Sequence, residues 1–138
     1  MLQLYFLSVA ANFLAGATLS ADWMGERFTS LAGILGALSG RRARTITGLA
    51  ALLVGLGTLF VPAAPPVVLG DLFPSAVGMA VGIALLFEVF KQDAFYPGEQ
   101  AARGEQGMRT PSAYRTALGA LGFAAAVLHY FLPERLFF

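Results

Sequence analysis

The sequence predicts an all-α polytopic membrane protein, a bundle of four transmembrane helices with a short interfacial helix at about 28–40. Of its 138 residues, 57% are hydrophobic and only 12% are charged, whereas roughly a quarter of the residues of a soluble domain are charged. A soluble domain of this size could not bury so much apolar surface. Four stretches are apolar and long enough to cross a hydrocarbon core, which takes about 20 helical residues.

The predicted spans cover about 1–21, 45–61, 72–90 and 112–132 of a single membrane domain, 1–138. The first span has no charged residue and ends in ATLSA, which also fits the cleavage site of a signal peptide. A signal peptide normally opens with Lys or Arg, and none precedes Arg27. Four spans are therefore the first interpretation, and a cleaved leader followed by three spans is the alternative.

The basic residues predict the orientation, because cytoplasmic loops of membrane proteins carry an excess of Lys and Arg. Only Arg135 falls on the side of the second connection and the termini. The others lie in or beside the first and third connections, at Arg27, Arg41, Arg42, Arg44, Lys91, Arg103, Arg109 and Arg115. We expect loops 22–44 and 91–111 to be cytoplasmic and both termini to lie outside.

The first loop contains an amphipathic segment. Its apolar residues are spaced by three and four positions, as on one face of a helix, at Phe28, Leu31, Ile34, Leu35 and Leu38. Thr29 or Ser30 could cap this helix, and thirteen residues are too few to span a bilayer. We read 28–40 as a helix in the inner interface; a short helix packed under the bundle is the alternative.

Two segments resemble each other within the chain. Residues 44–62 and 115–133 align without gaps and share Arg44/Arg115, Thr45/Thr116, Gly48/Gly119, Phe60/Phe131 and Pro62/Pro133. Both would run outward from the cytoplasmic side, so a duplication would be parallel rather than inverted. The segments that would partner them match poorly, and the shared demands of two such helices also account for the likeness.

Charged residues at membrane depth are costly, so each is a candidate for function. Glu88 lies about one turn from the end of the third span, and Arg44 and Arg115 open the second and fourth spans at a similar depth. We expect Glu88 to pair with Arg44 or Arg115 and so to set the register of the helices. The alternative is a carboxylate that binds a proton or a cation.

Three further polar residues are candidates. Asp71, just before the third span, could cap it, and His129 should lie at the same depth, within reach of Asp71. Asn12 falls near the middle of the first span, where buried amides usually bridge helices rather than bind substrate. Aromatic residues near the span ends, including Tyr5 and Tyr114, are expected to anchor the protein at the interfaces.

Small residues recur at intervals of four, which lets helix backbones approach closely in lipid. They are Ala11/Ala15, Gly36/Gly40, Gly78/Gly82 and Gly122/Ala126. We expect Gly78, Gly82 and Gly122 to pack helices within one chain. The alternative is that Gly78 and Gly82 form a contact face for another subunit.

The sequence lacks the patterns of several chemistries. It has no Cys, a single His and a net charge of +1, so thiolate chemistry, a His-rich metal site and a nucleic-acid partner are not expected. HExxH, GxSxG and phosphate-loop motifs are missing. We predict no cofactor, no metal and no enzymatic activity.

The stretch VVLGDLFPSAVGMAVGIALLFE at 67–88, together with LHYFLP at 128–133, resembles segments of uncharacterised small bacterial membrane proteins with four spans. The resemblance implies a multi-pass protein of the bacterial inner membrane and implies no activity. The small multidrug exporters are of similar size, but they need a carboxylate within the first span, and residues 1–21 have none.

The leading functional hypothesis is an accessory or scaffold protein of the bacterial inner membrane. Its partners would be the lipid bilayer and a larger membrane complex or further copies of the chain. The alternative is a small oligomeric channel or carrier that uses Glu88, Asn12 or the Asp71–His129 pair along a pathway. An intramembrane enzyme acting on lipid is a third hypothesis, supported only by the basic cytoplasmic face.

Overall fold

The computed structural model describes residues 2–61, 72–95 and 113–131, and these residues form helices without any β-strand among them. The prediction of an all-α protein is thereby confirmed for the described part of the chain. The helices are α1 (Leu2–Arg27), α2 (Ala32–Leu38), α3 (Arg41–Phe60), α4 (Leu72–Phe95) and α5 (Ala113–Phe131), with a 3-10 turn at Thr29–Leu31 before α2.

Three of these helices are long and apolar enough to cross a membrane, at Gln3–Arg27, Arg41–Phe60 and Leu72–Lys91. The predicted total of four is not reached by this measure. Helix α5 has 19 residues, which is nearly the length of α3, but Arg115 and His129 lower its hydropathy.

The long helices extend beyond the predicted spans at the end where the charged residues lie. Helix α1 continues past Ala21 to Arg27, α3 begins at Arg41 instead of Thr45, and α4 continues to Phe95. Apolar length marks the part of a helix that fits hydrocarbon, whereas the backbone hydrogen bonds that define the helix also form outside it. The correction matters because it places Asp22 inside α1.

The four long helices pack as two close antiparallel pairs, α1 with α5 and α3 with α4. Helices α1 and α4 run parallel and also touch each other across the centre, so that α3 and α5 lie on opposite sides of them. The buried apolar cluster between the helices consists of Ala15, Leu19, Ala51, Val77, Val81, Leu85 and Ala125. Large apolar side chains such as Phe13, Leu53 and Phe87 point outward instead, as they do where lipid is the solvent.

Each close pair is built on two facing glycines, and we call these contacts the glycine seams. In the α1–α5 seam, a Cβ added to Gly16 would lie 2.8 Å from the carbonyl oxygen of Gly119. In the α3–α4 seam, a Cβ added to Gly82 would lie 2.7 Å from the carbonyl oxygen of Gly48. The backbones approach so closely that no side chain fits, which is the packing expected of small residues in membrane helices.

Most of the small residues identified in the sequence pack helices against one another within the chain. Gly78 faces the side chain of Asn12, and Gly122 lies against Gly16. The face formed by Gly78 and Gly82 is therefore occupied by α1 and α3 and is not open to another subunit. Gly36 has nothing within 4 Å of an added Cβ, so the prediction of close packing there is wrong.

The predicted helix over 28–40 is shorter than expected. It consists of the 3-10 turn and the seven residues of α2, and neither start has a side-chain cap, so the capping role expected of Thr29 or Ser30 is wrong. Leu31 occupies the N-cap position of α2 because the 3-10 turn precedes it. Of the apolar stripe, Leu35 is buried, whereas Phe28 and Ile34 are exposed.

Candidate functional site

Four charged side chains, one from each long helix, meet at one end of the bundle and form what we call the charge ring. They are Asp22 on α1, Arg44 on α3, Glu88 on α4 and Arg115 on α5. Asp22 Oδ2 lies 3.2 Å from Arg44 Nη2 and 2.9 Å from Arg115 Nη2. Glu88 Oε1 lies 2.8 Å from Arg115 Nε, and Glu88 Oε2 lies 3.6 Å from Arg44 Nη1.

The ring alternates in sign and is nearly sealed from its surroundings. Each arginine lies between two carboxylates, and the four side chains are between 5% and 10% exposed. Two positive and two negative charges cancel, so the ring as a whole is neutral. Buried charges are tolerated when they are paired, and every member of the ring has two ion-pair partners. Among the described residues, Arg44 Nε and Glu88 Oε2 make no hydrogen bond.

Tyr114 adds a hydrogen bond to the ring. Its hydroxyl donates to Glu88 Oε1 over 3.0 Å, although more than half of the residue is exposed. The sequence predicted an interface anchor at this position. The side chain does reach the surface, and its polar tip is directed to the buried carboxylate.

The ion pair predicted between Glu88 and Arg44 or Arg115 is present with both arginines. Sequence reasoning missed Asp22, because the first predicted span ended one residue before it. Two signals in the sequence point to Asp22. Two arginines at helix starts need two carboxylates at the same depth, and Glu88 is only one. Asp22 lies six residues after Gly16, just as Glu88 lies six residues after Gly82.

The other candidate residues lie away from the ring. Asn12 is buried, and its Nδ2 donates to the carbonyl oxygens of Ser8, over 3.0 Å, and of Pro74, over 3.1 Å. It thus bridges α1 and α4, as predicted for a buried amide. His129 is also buried, against the ring of Tyr5 at 4.6 Å between centroids. Asp71 lies outside the described residues, so its contact with His129 stays a prediction.

Two more polar contacts join the helices near the end away from the charge ring. The hydroxyls of Thr58 and Ser75 are 2.7 Å apart and link α3 to α4. The hydroxyl of Tyr5 donates to the carbonyl oxygen of His129 and links α1 to α5. In each close pair, polar contacts therefore join the two helices near both ends, and the facing glycines lie between these contacts.

The two pairs follow one pattern, which relates α1 to α4 and α3 to α5. A constant offset of 66 residues relates Gly16 and Asp22 to Gly82 and Glu88, and an offset of 71 relates Arg44 and Gly48 to Arg115 and Gly119. In three dimensions these residues make equivalent contacts. The likeness between 44–62 and 115–133 is thus accompanied by equivalent contacts of α1 and α4, although the sequences of α1 and α4 share few identities.

The geometry limits what the ring can do chemically. Its carboxylates are occupied by guanidinium groups, and no group of three or more His, Cys, Asp or Glu that could hold a metal occurs in the part of the chain that the structure describes. Asp22 borders a groove of about 320 Å³ between α1 and α2, which Glu26 and Leu35 also line. The arrangement is that of a structural junction between four helices.

Comparison with known proteins places the chain in a family without assigning a role. A protein-family model matches residues 1–129, so the chain belongs to that family, which is uncharacterised. The resemblance noted in the sequence is confirmed to this extent. No curated protein and no solved structure matches the chain.

Proposed function

We propose that this protein is a non-enzymatic accessory or scaffold protein of a bacterial inner membrane, with four spans and both termini outside. In this proposal α5 is the fourth span, since it runs beside α1 from Arg115 near Asp22 to His129 near Tyr5. The two helices thus cover the same depth. The excess of Lys and Arg around loops 22–44 and 91–111 supports a cytoplasmic position of the charged end.

The closed charge ring is the observation that carries the proposal. Carriers need ionisable groups that face a substrate or a water-filled path. Here both oxygens of Glu88 face arginines, and one also accepts a hydrogen bond from Tyr114. Such a junction holds four helices in one register, which suits a protein whose task is to present a fixed membrane surface to a partner.

The alternative of a small oligomeric channel or carrier gains little from the geometry. Glu88 is engaged by arginines and the Nδ2 of Asn12 by backbone carbonyl oxygens. The buried Oδ1 of Asn12 accepts no hydrogen bond among the described residues and is the polar atom on which this alternative would rest. This hypothesis predicts that purified protein in liposomes moves an ion or a solute and that Glu88→Gln changes the pH dependence of the flux. A flux no greater than that of empty liposomes, over a broad solute panel, would dispose of it.

The proposal is tested by crosslinking in intact membranes, followed by purification of the tagged chain in mild detergent. We expect one partner in constant stoichiometry. Arg115→Gln, which breaks the ring, should lose that partner, while Gly57→Ala should keep it, because an added Cβ on Gly57 meets nothing within 4 Å. Repeated recovery of the chain alone and monomeric would overturn the proposal.

A further inference from the structure

We infer that residues 23–42, from the last turns of α1 through α2 to the start of α3, bind anionic phospholipid headgroups at the charged end of the bundle. The inference rests on the membrane insertion assumed in the proposed function and goes beyond it by naming a lipid class. It starts from a segment that is only half packed. Leu35 is buried against the bundle, but Phe28 is 48%, Leu31 43% and Ile34 67% exposed.

The position of these apolar side chains identifies what covers them. They follow directly on α1, at the depth where the long helices carry their charged residues and leave the apolar band. Exposed apolar residues beside cationic ones, on a short helix at this depth, fit the boundary between headgroups and acyl chains. Trp23, 37% exposed, lies in the last turns of α1, and indole rings favour this boundary.

The charge of the exposed groups selects the headgroup. The ring neutralises Arg44 and Arg115 internally, so these two arginines add nothing to the surface. The exposed charged side chains described at this end, outside the ring, are those of Glu26, Arg27, Arg41, Arg42 and Lys91. Arg41 makes a further contact of its own. Among the other described side chains three cations accompany one carboxylate, and two of the three, Arg27 and Arg42, flank the apolar segment.

The cations are held close to the segment that would enter the interface. The guanidinium of Arg27 lies 5.9 Å above the centre of the Trp23 ring. Arg41 and Arg42 open α3 directly after Gly40. Arginines near a membrane surface are attracted to anionic lipids, each by roughly fivefold in affinity, so the segment should prefer an anionic headgroup to a zwitterionic one.

Trp23 makes the inference testable, because it is the only tryptophan of the chain. The protein is reconstituted in phosphatidylcholine vesicles that contain a small fraction of either brominated phosphatidylglycerol or brominated phosphatidylcholine. Bromine quenches indole fluorescence at short range. We expect the brominated anionic lipid to quench Trp23 several-fold more strongly at equal mole fraction.

Two variants separate specific binding from mere proximity. The double variant R27Q/R42Q should abolish most of the preference for the anionic lipid, so that the two brominated lipids quench Trp23 about equally. The matched control Lys91→Gln removes an exposed cation at the same end of the bundle but on α4, and should leave the preference unchanged. Both alter exposed residues outside the ring, so the bundle itself should stay folded.

Each outcome has a distinct meaning. Equal quenching of the unaltered protein by the two lipids, or an undiminished preference in R27Q/R42Q, overturns the inference while the protein still floats with the vesicles. No quenching by either lipid in protein that floats with the vesicles also overturns it, because the segment then lies away from the lipid. If the protein does not float with the vesicles at all, the proposed membrane function fails instead.

Discussion

The two glycine seams repeat one backbone arrangement with different side-chain chemistry. In both seams, an arginine lies four residues before one glycine and a carboxylate lies six residues after the other. The shared features are those that bring two backbones together and neutralise charge. Elsewhere the seams differ: α3 and α4 are linked by two hydroxyls, of Thr58 and Ser75, whereas α1 and α5 are linked through Tyr5 and His129.

The seams also differ in the lengths of the ion pairs that their arginines make within the charge ring. Arg115 is within 2.9 Å of both carboxylates. Arg44 is 3.2 Å from Asp22 and 3.6 Å from Glu88, and the longer distance exceeds that of a hydrogen bond. Tyr114 has no counterpart in α3, where the equivalent residue is Ala43. From these shorter ion-pair distances we expect Arg115 to contribute more to stability than Arg44, although the two occupy equivalent positions in an approximate two-fold pattern.

The largest expected effect is the loss of one arginine from the ring. Arg115→Gln leaves two carboxylates facing Arg44 alone and should destabilise the bundle by about 3–5 kcal/mol. Arg44→Gln should destabilise it less, because its contacts are longer. Unfolding in mixed detergent and dodecyl sulfate, followed by circular dichroism, measures both values.

Two further variants complete this comparison. Arg42→Gln, exposed and outside the ring, should change the free energy of unfolding by less than about 0.5 kcal/mol. The double variant R115Q/E88Q removes one charge of each sign and should recover part of the stability lost in Arg115→Gln. An Arg44→Gln effect equal to or larger than that of Arg115→Gln would contradict the unequal weighting.

The next largest effect concerns the glycines that face each other. Gly82→Ala forces a Cβ to within 2.7 Å of the Gly48 carbonyl oxygen and 2.8 Å of the Leu52 nitrogen, and backbone cannot yield as a flexible side chain can. Overpacking of this kind costs about 1–3 kcal/mol. Gly16→Ala should have a similar effect in the other seam.

Gly57→Ala is the matched control, since it lies on α3 in open space. It should be neutral or slightly stabilising, because alanine favours a helix over glycine. The same unfolding measurement applies. If Gly16→Ala and Gly82→Ala differed by more than about 2 kcal/mol, beyond the usual spread for one kind of substitution, the equivalence of the seams would be refuted.

A smaller effect on the free energy of unfolding is expected for polar contacts that differ between the two seams or lie outside them. Asn12→Ala removes the bond to the Pro74 carbonyl oxygen between α1 and α4, and should destabilise by about 1 kcal/mol, near the range measured for such bonds in membrane bundles. Tyr5→Phe removes the contacts of the hydroxyl with the carbonyl oxygens of His129 and Tyr130 and keeps the ring against His129. It should destabilise less, as Tyr5 is only partly buried. A larger loss of stability in Tyr5→Phe than in Asn12→Ala would show that the end of the α1–α5 seam away from the charge ring contributes more to the stability.

The smallest effect on assembly of the bundle is expected from a break in the chain between Pro66 and Val67. Each seam joins one helix from the N-terminal half to one from the C-terminal half, so co-expressed fragments 1–66 and 67–138 should copurify. Charge-reversed fragments, with Arg44→Glu in one and Arg115→Glu in the other, provide the control and should associate weakly. Failure of the unmodified fragments to associate would show that the connection itself is needed for assembly.

Much of the fold could be predicted because apolar length and basic residues are local signals. Helix α5 matches its predicted range to within one residue at each end, and a pair of Glu88 with Arg44 or Arg115 was predicted from their similar depth. That both arginines contact Glu88 was not predicted. Asp22 was missed because apolar length is a local signal that does not show where a helix ends. Apolar length marks the hydrocarbon boundary, whereas α1 continues beyond it, so a charged residue just past the boundary was assigned to a loop.

Composition and periodicity alone determined that this chain is helical and that most of its bulk is apolar, because those properties follow from the transfer of side chains out of water and from hydrogen bonding within each segment. Only the tertiary structure decided which helices are neighbours, that the glycines face each other in two equivalent seams, and that four charges close into a ring. These features depend on contacts between residues far apart in the chain. In an apolar medium such contacts rest on close packing and charge pairing, which no local pattern of hydrophobicity encodes.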